Sequence, residues 1–239
     1  NLIHNSRLTN LLWYYSVKGK LFIKMLDNIK RLHVFGDSWA RGSELAEGEN
    51  TFGELLSNKL SCDEFNNYAT PASSINHLLL QFRSFVARTT HLESDLADWT
   101  VLFFLTEPGR TFTIVDGTTV FLNPDGGYGL KQDSQLEEKI NTNYWKYIHC
   151  DTTSILTANS TVYNLQNLCK HYNICDYYVQ GWTEFEFWSE IDTDKIYKQG
   201  KVTCSDLIQG NKASGGHPNQ KGHQLIADAL YQWFRDEPR

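Results

Sequence analysis

Residues 31–42, RLHVFGDSWARG, carry the reading that decides the fold. Leu32, His33, Val34 and Phe35 make a short β-branched and aromatic run, the pattern of a buried strand of parallel type. The run leads straight into Gly36-Asp37-Ser38, a turn in which glycine relieves steric limits and a serine is presented at the strand's C-terminal end. In an open α/β sheet that edge is where ligands bind. Ser38 is therefore a candidate nucleophile, provided that another group can take its proton. The second half of the argument lies at the far end, in residues 213–225, ASGGHPNQKGHQL. There His217 sits in a Gly- and Pro-rich loop just before the last helix, and its imidazole is the side chain best suited to proton transfer near neutral pH.

Between these ends the pattern alternates. A helix is expected from Asn50 or Thr51 to about Leu60, with Glu54 placed as the acid of a capping box. Phe65–Thr70 reads as a second strand, and Ser73–Ala87 as an amphipathic helix with Ile75, Leu78, Leu79, Phe82 and Val86 on one side. Trp99–Leu105 (WTVLFFL) is the most hydrophobic run and reads as a central strand covered on both faces. Residues 111–124 predict a hairpin turning at Asp116-Gly117, placed to wall the strand edge that bears the site. Gln132 to about Asn173 is helical in pattern, with breaks expected near Asp151–Thr153 and Asn159–Ser160. Asp176–Gln180 is a further strand, and Asn219–Phe234 a final helix. Strands alternating with helices give an α/β chain, a three-layer α/β/α sandwich around a mainly parallel sheet.

The 239 residues suit one domain with an ample core. With 22 basic and 28 acidic residues the net charge is −6, which argues against nucleic acid as a partner. No apolar run reaches the length of a membrane span, and the N-terminal segment lacks the h-region of a signal peptide, so a cytoplasmic location is the default. The five cysteines, Cys62, Cys150, Cys169, Cys175 and Cys204, form no C-x-x-C pair and read as reduced, mostly buried thiols rather than zinc ligands. Met25 is the sole methionine. Residues 1–24 read either as an N-terminal extension outside the fold or as a helix packing on the domain surface, and 25–239 as the domain.

The two terminal segments resemble blocks I and V of the SGNH (GDSL) hydrolase family, with Ser38 in Gly-Asp-Ser and His217 in His-Pro-Asn. The resemblance runs from Met25 to the C-terminus, and it implies a flavodoxin-like fold and a serine esterase that needs no metal or organic cofactor. Asn67-Tyr68-Ala69-Thr70-Pro71-Ala72 resembles block II, with Ala72 where the family has the oxyanion-hole glycine. The family's block III Gly-x-Asn-Asp is absent. Leu105-Thr106-Glu107-Pro108 stands there, and the stretch through Arg110 is similar to divergent members from phages and marine microbes. Glu107 could donate to an oxyanion only if protonated. The acid two or three residues before the histidine is also missing, since Ser214 and Gly215 occupy those positions. His217 is left either in a dyad with Ser38, steadied by Ser214 or a backbone carbonyl, or supported by an acid from elsewhere such as Asp206 or Glu184. The resemblance places Ser38, Ala72 and Glu107 at the oxyanion hole, makes His223 structural, and implies a small-molecule or carbohydrate ester as substrate, its acyl group short and O-acetyl among the choices. Trp182, Phe185, Phe187 and Trp188 are candidates for a substrate pocket. The alternatives are an acyltransferase using the same site, a degenerate SGNH domain that binds glycan or protein, and a nucleotide-binding flavodoxin-like protein.

Overall fold

The computed structural model describes residues 29–90, 96–123 and 134–236, with short strand segments at 16–17, 20–21 and 126–128. The expected extension 1–24 lies otherwise outside the described residues; its two short segments pair antiparallel.

The first strand, β1 (Arg31–Phe35), runs into a one-turn helix, α1 (Ser38–Arg41). Helix α2 (Phe52–Leu60) opens on Thr51, whose side chain and that of Glu54 form the expected capping box. Strand β2 (Glu64–Asn67) is shorter than expected, but the chain stays pinned to β1 beyond it, with Tyr68 N–H donating to Val34 O at 2.8 Å and Thr70 N–H to Gly36 O at 3.0 Å. Helix α3 (Ile75–Thr89) and the fully buried strand β3 (Trp99–Leu105) follow. The hairpin forms from β4 (Thr111–Val115) and β5 (Thr118–Asn123), and a third strand that the sequence did not disclose, β6 (Gly126–Tyr128), extends it. Asp116 and Gly117 both hold positive φ, 47° and 78°, as the tight two-residue turn requires.

Two long helices, α4 (Ser134–Tyr147) and α5 (Asp151–His171), lead to β7 (Cys175–Gln180). The short helix α6 (Cys204–Leu207) and the last helix α7 (Gln220–Asp236) close the chain. The central sheet has the order β2-β1-β3-β7, every pair parallel.

Side chains alternate across that sheet. Phe35, Val101, Phe103, Leu105 and Tyr178 face one side, where α3 (Leu78, Phe82) and α5 (Val162, Leu165) cover them. Leu32, Val34, Leu102, Phe104 and Val179 face the other, beneath α2 (Phe52, Leu56) and α7 (Ile226, Leu230, Trp233). The result is the three-layer α/β/α sandwich. The C-terminal ends of β1 and β3 open on one edge, and the hairpin rises beside it.

Candidate active site

Ser38 is held by local constraints that begin at Gly36. A Cβ on that residue would lie 2.6 Å from Ala40 Cβ and 2.8 Å from Phe104 Cβ. Only glycine lets α1 fold back so closely over β3. Asp37 then caps α1, its Oδ1 accepting from Trp39 N–H at 2.9 Å. Its other oxygen accepts from Thr106 Oγ1 at 2.9 Å and pairs with Arg110 Nη1 at 3.4 Å. The Asp37 side chain is wholly buried. Burial raises its carboxyl above the ordinary aspartate range, while Arg110, Thr106 and the Trp39 N–H pull it back. Asp37 thus organises the turn. Asn67 ties the neighbouring loop to the same helix, donating from Nδ2 to Ala40 O at 2.8 Å and accepting from Ala69 N–H at 3.0 Å.

His217 lies on the loop before α7, and its acid partner is one the sequence reading did not single out. Nδ1 donates to Glu44 Oε2 at 2.7 Å, because a carboxylate can only accept. The backbone N–H of Gly215 donates to Glu44 Oε1 at 2.7 Å, and that of His217 to Oε2 at 3.3 Å. Glu44 sits in the turn after α1 at φ 72°, a left-handed conformation uncommon outside glycine and concentrated at functional sites. The hydrogen bond from His217, helped by the two backbone donors, holds the Glu44 carboxyl below its ordinary value. This also explains the missing family acid. A Cβ on Gly215 would come within 2.5 Å of Glu44 Oε1, so the bare backbone there leaves room for a carboxylate arriving from the other end of the chain. Neither acid named from sequence serves. Asp206 is taken up in a capping box with Thr203, and Glu184 is solvent-exposed.

Ser38 and His217 line one cavity of about 510 Å³, together with Trp39, Ala72, Arg110, Asn123, Trp182 and Lys212 among others. No hydrogen bond joins Ser38 Oγ to His217 among the described residues, a looseness common in substrate-free sites. The backbone N–H groups of Ser38 and Ala72 are not spent on any other group among the described residues. Ala72 holds φ 64°, so alanine in the glycine's place is strained by about 1–2 kcal/mol rather than simply accommodated. Glu107 is not among the cavity-lining residues; its Oε2 lies 3.8 Å from Arg110 Nε. Arg110 itself stacks on Trp182, 4.5 Å from the ring centroid, and Trp182 meets Trp39 at 5.0 Å.

Of the four aromatics proposed for a pocket, only Trp182 lines the cavity. Phe185, Phe187 and Trp188 pack on the core beneath α3 and α5. His223 is buried, accepts from Phe52 N–H at 3.1 Å through Nδ1, and belongs to the scaffold. The cysteines depart from expectation. Cys169 and Cys204 are buried, but Cys150 and Cys175 are exposed.

No protein-family model matches the chain, and no curated protein is similar to it in sequence. Solved structures are similar in fold. One is a member of the lipolytic G-D-S-L family from Veillonella parvula, with 14% identity over 87% of this chain and 99% of that one, at a TM-score of 0.48. The likeness is to the SGNH (GDSL) hydrolases. A psychrotrophic esterase from Pseudoalteromonas sp. (11% identity, 85% and 95% of the two chains, TM-score 0.39) and a GDSL-like lipase from Bacteroides thetaiotaomicron (12%, 86% and 88%, TM-score 0.40) are similar as well. At such identities an SGNH likeness is one of fold.

Proposed function

We propose that the protein is a serine ester hydrolase with Ser38 as nucleophile, His217 as general base and Glu44 as the acid that orients and supports the imidazole. The observation that carries this reading is the 2.7 Å hydrogen bond from His217 Nδ1 to Glu44, at the cavity that Ser38 also lines. With Nδ1 carrying the proton, Nε2 is left with its lone pair free for the serine.

Ser38 Oγ adds to the ester carbonyl as His217 Nε2 takes its proton, and the Glu44 carboxylate offsets the imidazolium charge. The tetrahedral oxyanion is held by the free N–H groups of Ser38 and Ala72. Collapse breaks the bond to the alcohol, which leaves with the proton from His217. Water, deprotonated in turn by His217, then releases the acid and restores Ser38. No step calls for a metal or organic cofactor. Trp39 and Trp182 both line the cavity, and aromatic side chains with a polar neighbour such as Arg110 suit a sugar, so a short-chain ester such as an O-acetylated carbohydrate is the substrate class we favour.

Hydrolysis of short-chain p-nitrophenyl esters, with fluorophosphonate labelling in parallel, tests the reading. The wild type should turn over and label, and Ser38→Ala should do neither. If the wild type neither labels nor turns over, the site is not a working esterase, and glycan binding becomes the better account.

A further inference from the structure

Asn123, the last residue of β5, has its backbone fixed from both sides. Its N–H donates to Asn141 Oδ1 at 3.1 Å, and its C=O accepts from Asn141 Nδ2 at 3.0 Å. Asn141 lies on α4 and is itself buried. This clamp sets Asn123 on the wall of the cavity shared by Ser38, Ala72 and His217. The side chain is in the opposite condition. Asn123 is 2% exposed, and neither Nδ2 nor Oδ1 has a hydrogen-bond partner among the described residues.

A buried amide left without partners costs free energy, and an apolar residue of the same shape would be tolerated better. Several polar side chains at and behind the cavity wall are engaged, although Arg110 Nε, like the Asn123 amide, is buried without a hydrogen-bond partner among the described residues. Asp37 serves Trp39, Thr106 and Arg110, Glu44 serves His217, and Arg110 pairs with Asp37 and stacks on Trp182. Asn123 is the cavity-lining residue whose whole side-chain amide, donor and acceptor alike, is left unmet among the described residues, and it shares the cavity with Ser38 and Ala72.

We propose that Asn123 Nδ2 donates a hydrogen bond to the substrate's carbonyl oxygen as it becomes the oxyanion, adding a side-chain donor to the two backbone N–H groups. The proposal rests on the esterase reading above. Rotation about the terminal torsion of asparagine is soft, so the amide can turn toward an arriving oxygen while its clamped backbone stays still. An amide suits the task because it donates without a charge that titrates.

The test is Asn123→Leu, close to isosteric, assayed for kcat, KM and thermal midpoint on p-nitrophenyl acetate. The expected result is a kcat lower by about 10²–10³, a KM little changed, and a midpoint equal to or above wild type because the unpaired amide is gone. A purely structural asparagine would give the reverse, a lower midpoint with the kcat of the folded protein retained, and that result overturns the proposal. If the leucine variant does not fold, Asn123→Asp keeps the shape and replaces the donor with an acceptor. Its kcat should fall at least as far, and an unchanged value sinks the idea. Absence of Ser38-dependent turnover in the wild type would instead mark failure of the esterase reading itself.

Discussion

Gly215 and Glu44 form a complementary pair across 171 positions of sequence. The hypothetical Cβ on Gly215 meets only Glu44 among its nearest neighbours, at the end of a flexible side chain. Gly215→Ala should therefore move the carboxylate instead of disrupting the fold. We expect kcat on p-nitrophenyl acetate to drop about 10²-fold, the lower end for lost acid–base assistance, with unfolding free energy changed by no more than about 0.5 kcal/mol. Glu44→Gln should lose a similar factor, whereas Asp206→Asn should leave kcat alone and weaken only the cap of α6. Equal kcat for wild type and Glu44→Gln would remove Glu44 from the mechanism. Ser38 and His217 were legible as candidates because each stands in a short local pattern, Gly-Asp-Ser after a strand and His-Pro-Asn before a helix. Glu44 and Asn123 were not, because each acquires its meaning from a partner the fold delivers. The only hint was negative: a glycine and a serine where an acid was expected.

Strands and helices were read from period and punctuation, and those signals placed β1, β3, β7 and the hairpin turn closely. The helical stretch after the hairpin shows where they fail. Breaks were expected near 151–153 and 159–160, where Asp, Thr, Asn and Ser side chains compete with the backbone for hydrogen bonds. The first break falls just earlier, between Tyr147 and Asp151, and the second is absent. Asn159 stays inside α5 because its side chain is used for tertiary contact. Nδ2 donates to Ile155 O at 3.1 Å and to Glu186 O at 3.0 Å, and Oδ1 accepts from Trp188 N–H at 2.8 Å. A residue that would loosen an isolated helix here ties the 186–188 segment to it. Asn159→Ala should strengthen local helix propensity yet lower overall stability by about 1–3 kcal/mol, because Glu186 O and Trp188 N–H lose their partner. Urea denaturation measures the balance; a variant as stable as wild type would mean that those contacts add nothing.

At the scale of the whole molecule, two buried histidines couple stability to pH. His77, on α3, packs against Phe112 and Phe121 of the hairpin, and His223, on α7, packs against the Phe52 ring of α2. Burial depresses both to about 4, against an ordinary 6.5, and the His217 charge adds to the effect at His223. The unfolded chain then binds protons that the folded one refuses between those two values. Stability from these groups is fully present above pH 6.5 and is lost as pH falls toward 4, where the loss levels off. For His223 the interval sets a ceiling of roughly 3 kcal/mol, at 1.36 kcal/mol per pH unit. The buried carboxyls Asp37 and Asp176, whose values burial raises, work in the opposite sense, since their contribution fades as pH rises through their folded values. A substitution separates the two. His223→Gln keeps an acceptor for the Phe52 N–H and removes the titration, so its urea-derived stability should decline less steeply than wild type between pH 6.5 and 4, while Asp37 and Asp176 act alike in both proteins. Parallel curves would mean that His223 takes up its proton in the folded state without penalty, and that the core around α2 and α7 opens to water more readily than its packing implies.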